Sequence, residues 1–165
     1  MLVLGIDTSL RCTGLGLVEL RDGSISGVAY DTVRNPAGLP LSQCLLRIRS
    51  AIKEAVSEFK PDVAAVEGVF YARFPNTTLI LGEARGVAIA ACAECGLQVF
   101  EHEPRRVKQA VAGWGAATKD QMQKMVVSLL GLGKTPPEDA ADALAIAICH
   151  IQSFTRMNLE GAKAL

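Results

Sequence analysis

The alternation of apolar and polar residues predicts a chain of short strands and amphipathic helices. Apolar runs bounded by turn-forming residues indicate five strands, at residues 2–6, 13–20, 25–33, 63–69 and 97–100. Apolar side chains at intervals of three or four predict helices at residues 41–59, 77–95, 118–130 and 135–152, with a shorter one after residue 104. Thr118 and Gln121 have the spacing of a capping box, which marks a helix start.

The order of these elements predicts the fold class. Three strands in succession, followed by strands that alternate with helices, indicate an α/β protein whose mixed five-stranded sheet carries helices on both faces. No internal repeat or linker interrupts the pattern. We therefore expect one domain over residues 1–152 and a C-terminal tail at residues 153–165.

Composition narrows the class of protein. The chain has 165 residues, half of them apolar, which excludes a disordered polypeptide. The longest apolar run has seven residues, whereas a bilayer crossing needs about 20, and the acidic start is unlike a signal peptide. Five cysteines, an odd number without framework spacing, are typical of a reducing compartment. We therefore expect a cytoplasmic protein without a membrane partner.

Charge is balanced overall but not along the chain. Seventeen basic and seventeen acidic residues give zero net charge, which argues against a binder of nucleic acid that relies on charge alone. Between residues 104 and 135, however, one acid stands among six basic residues, namely Arg105, Arg106, Lys108, Lys119, Lys124 and Lys134. Basic side chains near helix starts can bind phosphates. The alternative is an ordinary solvated basic face.

Four carboxylates lie in apolar surroundings: Asp7, Glu67, Asp139 and Asp142. Asp7 ends the first strand, Glu67 lies within an apolar strand, and the other two share one face of the last helix. A buried carboxylate is costly unless it is paired or binds a metal, and such a group suits Mg²⁺ or Mn²⁺. The alternatives are an exposed strand end for Asp7 and a favourable helix dipole for Asp139.

A cluster of aromatic residues follows Glu67. Phe70, Tyr71 and Phe74 lie within five positions of one another, with Arg73 among them, in a predicted loop. Exposed aromatic rings beside a base can stack on nucleobases while the base holds phosphate. The alternative is a loop that packs its aromatic side chains into the core.

Six short motifs resemble the RuvC family of Holliday-junction resolvases, in order, across residues 2–152. They are Gly-Ile-Asp-Thr-Ser at 5–9, Thr-Gly-Leu-Gly at 13–16, Val-Glu-Gly-Val-Phe at 66–70, Leu-Gly-Glu-Ala-Arg-Gly-Val at 81–87, Arg-Arg-Val-Lys-Gln-Ala-Val at 105–111 and Asp-Ala-Ala-Asp-Ala-Leu-Ala at 139–145. The resemblance implies an RNase H-like fold and an endonuclease that resolves four-way DNA junctions in recombination and repair. It also implies a homodimer that makes paired symmetric nicks, in partnership with the RuvA–RuvB branch-migration complex.

The resemblance also implies roles for individual residues. The acidic ligands of two Mg²⁺ ions, for which Mn²⁺ can substitute, fall on the catalytic carboxylates Asp7, Glu67, Asp139 and Asp142. DNA contacts are expected at Phe70, which would stack at the opened junction, and at the basic residues Arg73, Arg105, Lys108 and Lys119. Gly68 and the additional acid Glu138 depart from the family pattern, which affects the expected sequence preference rather than the chemistry.

Three other functions compete with this interpretation. A related RNase H-like nuclease could act on an RNA–DNA hybrid, and a non-catalytic module could bind junctions without cutting them. The first motif also resembles a phosphate loop of actin-like kinases, but 165 residues leave no room for their second domain. The four acids disfavour a pure binder, because uncompensated negative charge repels phosphate.

Overall fold

The computed structural model describes residues 1–68, 75–155 and 163–165. Within these residues the strands are β1 (Leu2–Asp7), β2 (Cys12–Arg21), β3 (Ser24–Arg34), β4 (Val63–Glu67), β5 (Gln98–His102) and β6 (Lys163–Ala164). The helices are α1 (Leu41–Phe59), α2 (Pro75–Glu94), α3 (Pro104–Ala112), α4 (Lys119–Leu130) and α5 (Glu138–Thr155). All five predicted strands and all five predicted helices are therefore present.

The strands form one mixed sheet in the order β3-β2-β1-β4-β5-β6. β1, β2 and β3 pair antiparallel as a meander, whereas β1, β4 and β5 run parallel, because helices connect them. The sheet has one strand more than predicted. Lys163 and Ala164 pair with Glu101 and Phe100 at the β5 edge, and two residues are too few to carry a periodic signal.

Helices cover both faces of the sheet, as the sequence predicts. Along β1, Val3 faces the layer of α3, α4 and α5, while Leu4 and Ile6 face the layer of α1 and α2. This alternation follows from the two-residue period of a strand. In the described part of the chain, no helix has the length and apolar character that crossing a bilayer requires.

Three glycines let α5 lie unusually close to the sheet. A Cβ atom on Gly5 would stand 2.0 Å from the carbonyl oxygen of Ala143, and one on Gly14 would stand 1.9 Å from that of Asp139. A Cβ atom on Gly16 would meet the backbone nitrogen of Leu144 at 2.7 Å. Any larger residue at these positions would displace the helix, so the glycines set the distance between α5 and the strands.

Candidate active site

Strand and helix ends bring the predicted carboxylates to one edge of the sheet. Asp7 is the last residue of β1 and Glu67 the last of β4, and these strands are parallel neighbours, so both side chains emerge at the same edge. Asp139 and Asp142 lie in the first turns of α5. Asp7 pairs across the sheet with Gly14, which contacts the backbone of Asp139, so the missing side chain at Gly14 brings α5 next to Asp7.

The end of β4 is fixed by backbone contacts. Glu67 lies beside His102 of β5, and the N–H of Gly68 donates to the carbonyl of His102 at 2.9 Å. Nε of Arg85 on α2 donates to the carbonyl of Glu67 at 3.3 Å, and its guanidinium is also paired with Glu101. Arg85 therefore ties α2 to the ends of β4 and β5 at the point where the Glu67 carboxylate begins.

The carboxylates repel one another in a partly dehydrated site. The pKa of Asp7 is raised from 3.8 to about 7, first by burial and then by repulsion from Asp142, Glu67 and Asp139. Burial, followed by the charge of Asp142, raises the pKa of Glu67 above its usual value. The pKa of Asp142 is raised mainly by burial as well. Such shifts mark a concentration of negative charge that the protein itself does not neutralise.

A cleft of about 350 Å³ opens over these carboxylates. It is lined by Asp7, Glu67, Asp142, Lys108 and Lys119, together with the largely apolar side chains of Pro104, Val107, Met122 and Ile146. A second cleft of about 370 Å³ shares Asp7, Glu67 and Pro104 and continues past Thr8, Ser9 and Leu81. Asp7 and Glu67 thus stand between two adjoining depressions, which gives a substrate access from both sides.

Two of the predicted DNA-contacting bases lie at the acidic cleft. Lys108 on α3 lowers the pKa values of Glu67 and Asp142 by attraction, although burial outweighs this effect. Lys119, the first residue of α4, pairs with Glu138, and this contact raises the lysine pKa. Both cations can therefore attract a phosphate group to the carboxylates. Glu138, which departs from the family pattern, competes for Lys119.

A third predicted DNA contact, Arg105, lies away from this cleft. Arg105 is exposed and lines a separate groove between α3 and the end of α5, where its side chain packs over Gly115. Phe70 and Arg73 lie outside the described residues, so the predicted aromatic loop remains a prediction.

The donor set suits a hard divalent cation. Carboxylate oxygens are the preferred ligands of Mg²⁺, Mn²⁺ and Ca²⁺, and here they are concentrated where few cations offset their charge. Within residues 1–68, 75–155 and 163–165, no three carboxylate, imidazole or thiol groups form a ready-made cage for one ion. One or two carboxylates can also hold such an ion when waters and substrate phosphates complete its ligand shell.

Two contacts at the site were not predicted from the sequence. The Cys12 thiol lies close to the Asp139 carboxylate, and burial together with this carboxylate raises the thiol pKa to about 11. Arg85 is the second, and its only signal was its place in the Leu-Gly-Glu-Ala-Arg-Gly-Val motif. Cys12 is far from Asp139 in the sequence, and Arg85 is 18 residues from Glu67, so the fold brings each pair together.

The protein has an RNase H-like fold, with a mixed sheet, helices on both faces and carboxylates at one edge of the sheet. The family model for crossover junction endodeoxyribonuclease RuvC matches residues 3–150. The RuvC protein of Desulfitobacterium hafniense is 46% identical over 162 residues, which cover 98% of each chain. The chain therefore belongs to the RuvC family, and it is an endodeoxyribonuclease.

Solved structures agree with this assignment. The structure of Thermus thermophilus RuvC in complex with Holliday junction substrate has a TM-score of 0.90 and 34% identity, covering 100% of this chain and 99% of that one. The yeast mitochondrial Holliday junction resolvase Ydc2 shares the fold, with a TM-score of 0.68 at 14% identity, over 96% of this chain and 80% of that one. The predicted fold and the predicted class of nuclease are thus confirmed.

Proposed function

We propose that Asp7, Glu67, Asp139 and Asp142 form the catalytic centre with which this nuclease resolves four-way DNA junctions. The observation that carries the proposal is the convergence of carboxylates from three separate elements: Asp7, Glu67 and Asp142 line one cleft. Burial and repulsion from Asp142, Glu67 and the nearby Asp139 raise the pKa of Asp7 to about 7. This arrangement destabilises the protein unless cations neutralise it. A divalent metal and a bound phosphate together supply the required balance of charge.

The proposed metal is Mg²⁺, two ions to a site, with Mn²⁺ as a substitute. When bound, these ions activate water and stabilise the oxygen that leaves the phosphodiester. Asp7, which lines both adjoining clefts, would be a ligand at the centre of the site. Glu67 supplies oxygens from the β4 side, and Asp139 and Asp142 supply them from α5. Arg85 keeps the end of β4 in place.

The proposed DNA contacts surround this centre. Lys108 and Lys119 bind the phosphates next to the bond that is cut, since both line the cleft. Arg105 binds the duplex further from the cut, because it lies in a separate groove on α3. Phe70 stacks on unpaired bases at the junction centre and Arg73 holds a neighbouring phosphate. Their positions three and six residues after Glu67 support these roles.

The nuclease acts as a homodimer in this proposal, because two matching strands must be cut. A stripe along α2 supports this arrangement: Leu79 is 66% exposed, and Gly82, Gly86 and Ala90 follow it on the solvent side. Cβ atoms on either glycine would meet no atom within 4 Å, so packing within one subunit does not require glycine there. Close approach of a second subunit would require it.

Two further parts of the proposal rest on family membership. The first is partnership with the RuvA–RuvB complex, which delivers branch-migrated junctions to resolvases of this family. The second is a cytoplasmic location, where such junctions arise. Both are tested by isolation of the tagged nuclease from cells in which junctions accumulate.

The decisive experiment is cleavage of a labelled synthetic four-way junction with and without Mg²⁺, beside the variant Asp7→Asn. We expect paired nicks with Mg²⁺ or Mn²⁺, none with chelator, and none with the variant, which should still bind. A linear duplex and an RNA–DNA hybrid serve as control substrates. Preferential cutting of the hybrid, or unchanged cutting by the variant, would refute the proposed substrate or centre respectively.

The dimer is tested separately by sedimentation of Gly86→Arg against Gly38→Arg. Gly38 has open space around it in a loop, so its variant controls for the added charge. We expect Gly86→Arg to sediment as a monomer and to lose paired nicking. A dimer unaffected by this change would place the interface elsewhere.

A further inference from the structure

The loop between α3 and α4 exposes an aromatic side chain that the active site does not use. Trp114 is the only tryptophan in the chain, and 51% of its surface is exposed. Exposing half of the indole surface to water forgoes part of the stabilisation that its burial would give. An exposed tryptophan in a short loop therefore calls for a partner that covers it.

The loop that carries Trp114 is held at both ends. Gly113 ends α3 with a φ of 83°, a left-handed conformation that side chains disfavour. The Thr118 hydroxyl caps α4 by accepting from the Gln121 backbone N–H, and the Thr118 backbone N–H donates to the Gln121 side-chain oxygen. Between them, Arg105 lies over Gly115, where a Cβ atom would stand 2.6 Å from the arginine Cγ. The indole is thus presented on a short, braced turn.

The charges around this turn indicate the chemistry of its partner. Residues 104–119 contain no acid and four basic residues, Arg105, Arg106, Lys108 and Lys119. The loop joins the two helices whose lysines line the acidic cleft, and Arg105 packs against it. An exposed aromatic ring on a loop between basic helices matches a nucleic acid, in which phosphates flank flat bases and sugars.

We propose that Trp114 is a DNA-binding residue that packs against a base or deoxyribose of the junction arm running past the acidic cleft. The inference rests on the proposed function, because it takes DNA to be bound at the cleft, and it adds a contact on the α3–α4 loop. Lys108 and Lys119 position the phosphates, and Trp114 adds contact area that charge alone does not provide. Affinity carried by Trp114 is therefore less sensitive to salt than that carried by the lysines.

The single tryptophan makes this contact directly observable. Junction DNA is titrated into the Asp7→Asn variant, which is expected to bind without cutting, while indole fluorescence and the anisotropy of a dye on the DNA are recorded together. We expect the fluorescence to change, and its quenching by acrylamide to fall, at the DNA concentrations that raise the anisotropy. We also expect Trp114→Ala to weaken binding by about 5- to 100-fold and Trp114→Phe by less.

Leu46→Ala is the matched control, because Leu46 is also apolar and 50% exposed but lies on α1, on the opposite face of the sheet from α3 and α4. Its binding should not change. Rising anisotropy with unchanged fluorescence, or unaltered binding by Trp114→Ala, would overturn the inference and leave the proposed function intact. A fluorescence change that follows protein concentration without DNA would assign Trp114 to a protein contact instead. No rise in anisotropy would overturn the proposed function, and the inference with it.

Discussion

Replacing the Asp7 carboxylate by an amide should make the metal-free protein more stable while it removes activity. The folded state raises the pKa of Asp7 from 3.8 to about 7, so at pH 8 the ionised side chain opposes folding. Asn keeps the shape of the side chain but carries no charge. Asp7→Asn should therefore relieve both the desolvation of the carboxylate and its repulsion by Asp142, Glu67 and Asp139.

The size of the effect follows from the shift. About three pKa units at about 1.4 kcal/mol each set a limit of about 4 kcal/mol at pH 8. We expect a measured gain of about 2–4 kcal/mol, which raises the melting temperature of a chain this long by roughly 5–10 °C. Because the pKa is raised, the ionised carboxyl destabilises the fold fully above pH 7, and this destabilisation disappears as pH falls from about 7 to 3.8. The difference between the two proteins should therefore shrink from pH 8 to pH 4.

The assay is urea and thermal unfolding in chelator, at several pH values, beside Asp120→Asn as the control. Asp120 is an exposed acid paired with Lys124, so its replacement should change stability by less than about 1 kcal/mol. Adding Mg²⁺ should stabilise the unmodified protein more than Asp7→Asn. If Asp7→Asn were no more stable than its parent at pH 8 without metal, the account of the site as a cluster of uncompensated charge would be refuted.

Other changes test the remaining parts of the structure. Gly14→Ala should cost about 1–3 kcal/mol and abolish cleavage, because its Cβ would stand 1.9 Å from the Asp139 carbonyl; thermal unfolding beside Gly38→Ala, which meets open space, checks this. Burial lowers the pKa of His102 to about 4. As pH falls from 6.5 to 4, this histidine should therefore lower the free energy of unfolding by up to about 3 kcal/mol. Unfolding of His102→Phe over the same pH range should lack this contribution. Arg85→Ala should lower the cleavage rate by about 10- to 100-fold at unchanged junction affinity, with partial rescue by Arg85→Lys.

The periodic parts of the fold were predictable because period and composition agree there. Helix α1 repeats apolar residues at intervals of three and four, and Ile48, Ile52 and Val56 are indeed buried along one face. β2 and β3 form an antiparallel hairpin that turns at Arg21–Ser24, between the two strands predicted at residues 13–20 and 25–33. The capping box at Thr118 and Gln121 marks the start of α4 as expected. Strand β6 was not predicted because two residues are too few to show a strand pattern, and its formation depends on pairing with the exposed edge of β5.

Interactions between distant residues were not predictable in the same way. His102 and His150 look isolated in sequence, yet their rings are joined by a buried contact of 3.1 Å between Nε2 and Nδ1. Nδ1 of His102 is buried without a partner among the described atoms. A proton on this ring would therefore be poorly stabilised, in agreement with the lowered pKa of His102. The attachment of Arg85 to the Glu67 carbonyl likewise depends on the crossing of α2 over β4 and β5.

The carboxylates were only partly predictable: the sequence indicates which acids form the site, but it does not indicate how far their pKa values are raised. An acid in an apolar strand signals a site; how strongly its charge is opposed depends on how closely α5 approaches the sheet. Gly14 sets that approach by leaving space for the Asp139 backbone opposite Asp7. Asp7, whose buried charge destabilises the fold, and Gly14, which lets α5 approach, are therefore cross-strand neighbours. Stability is lost where the chemistry requires negative charge, and a bound cation restores it.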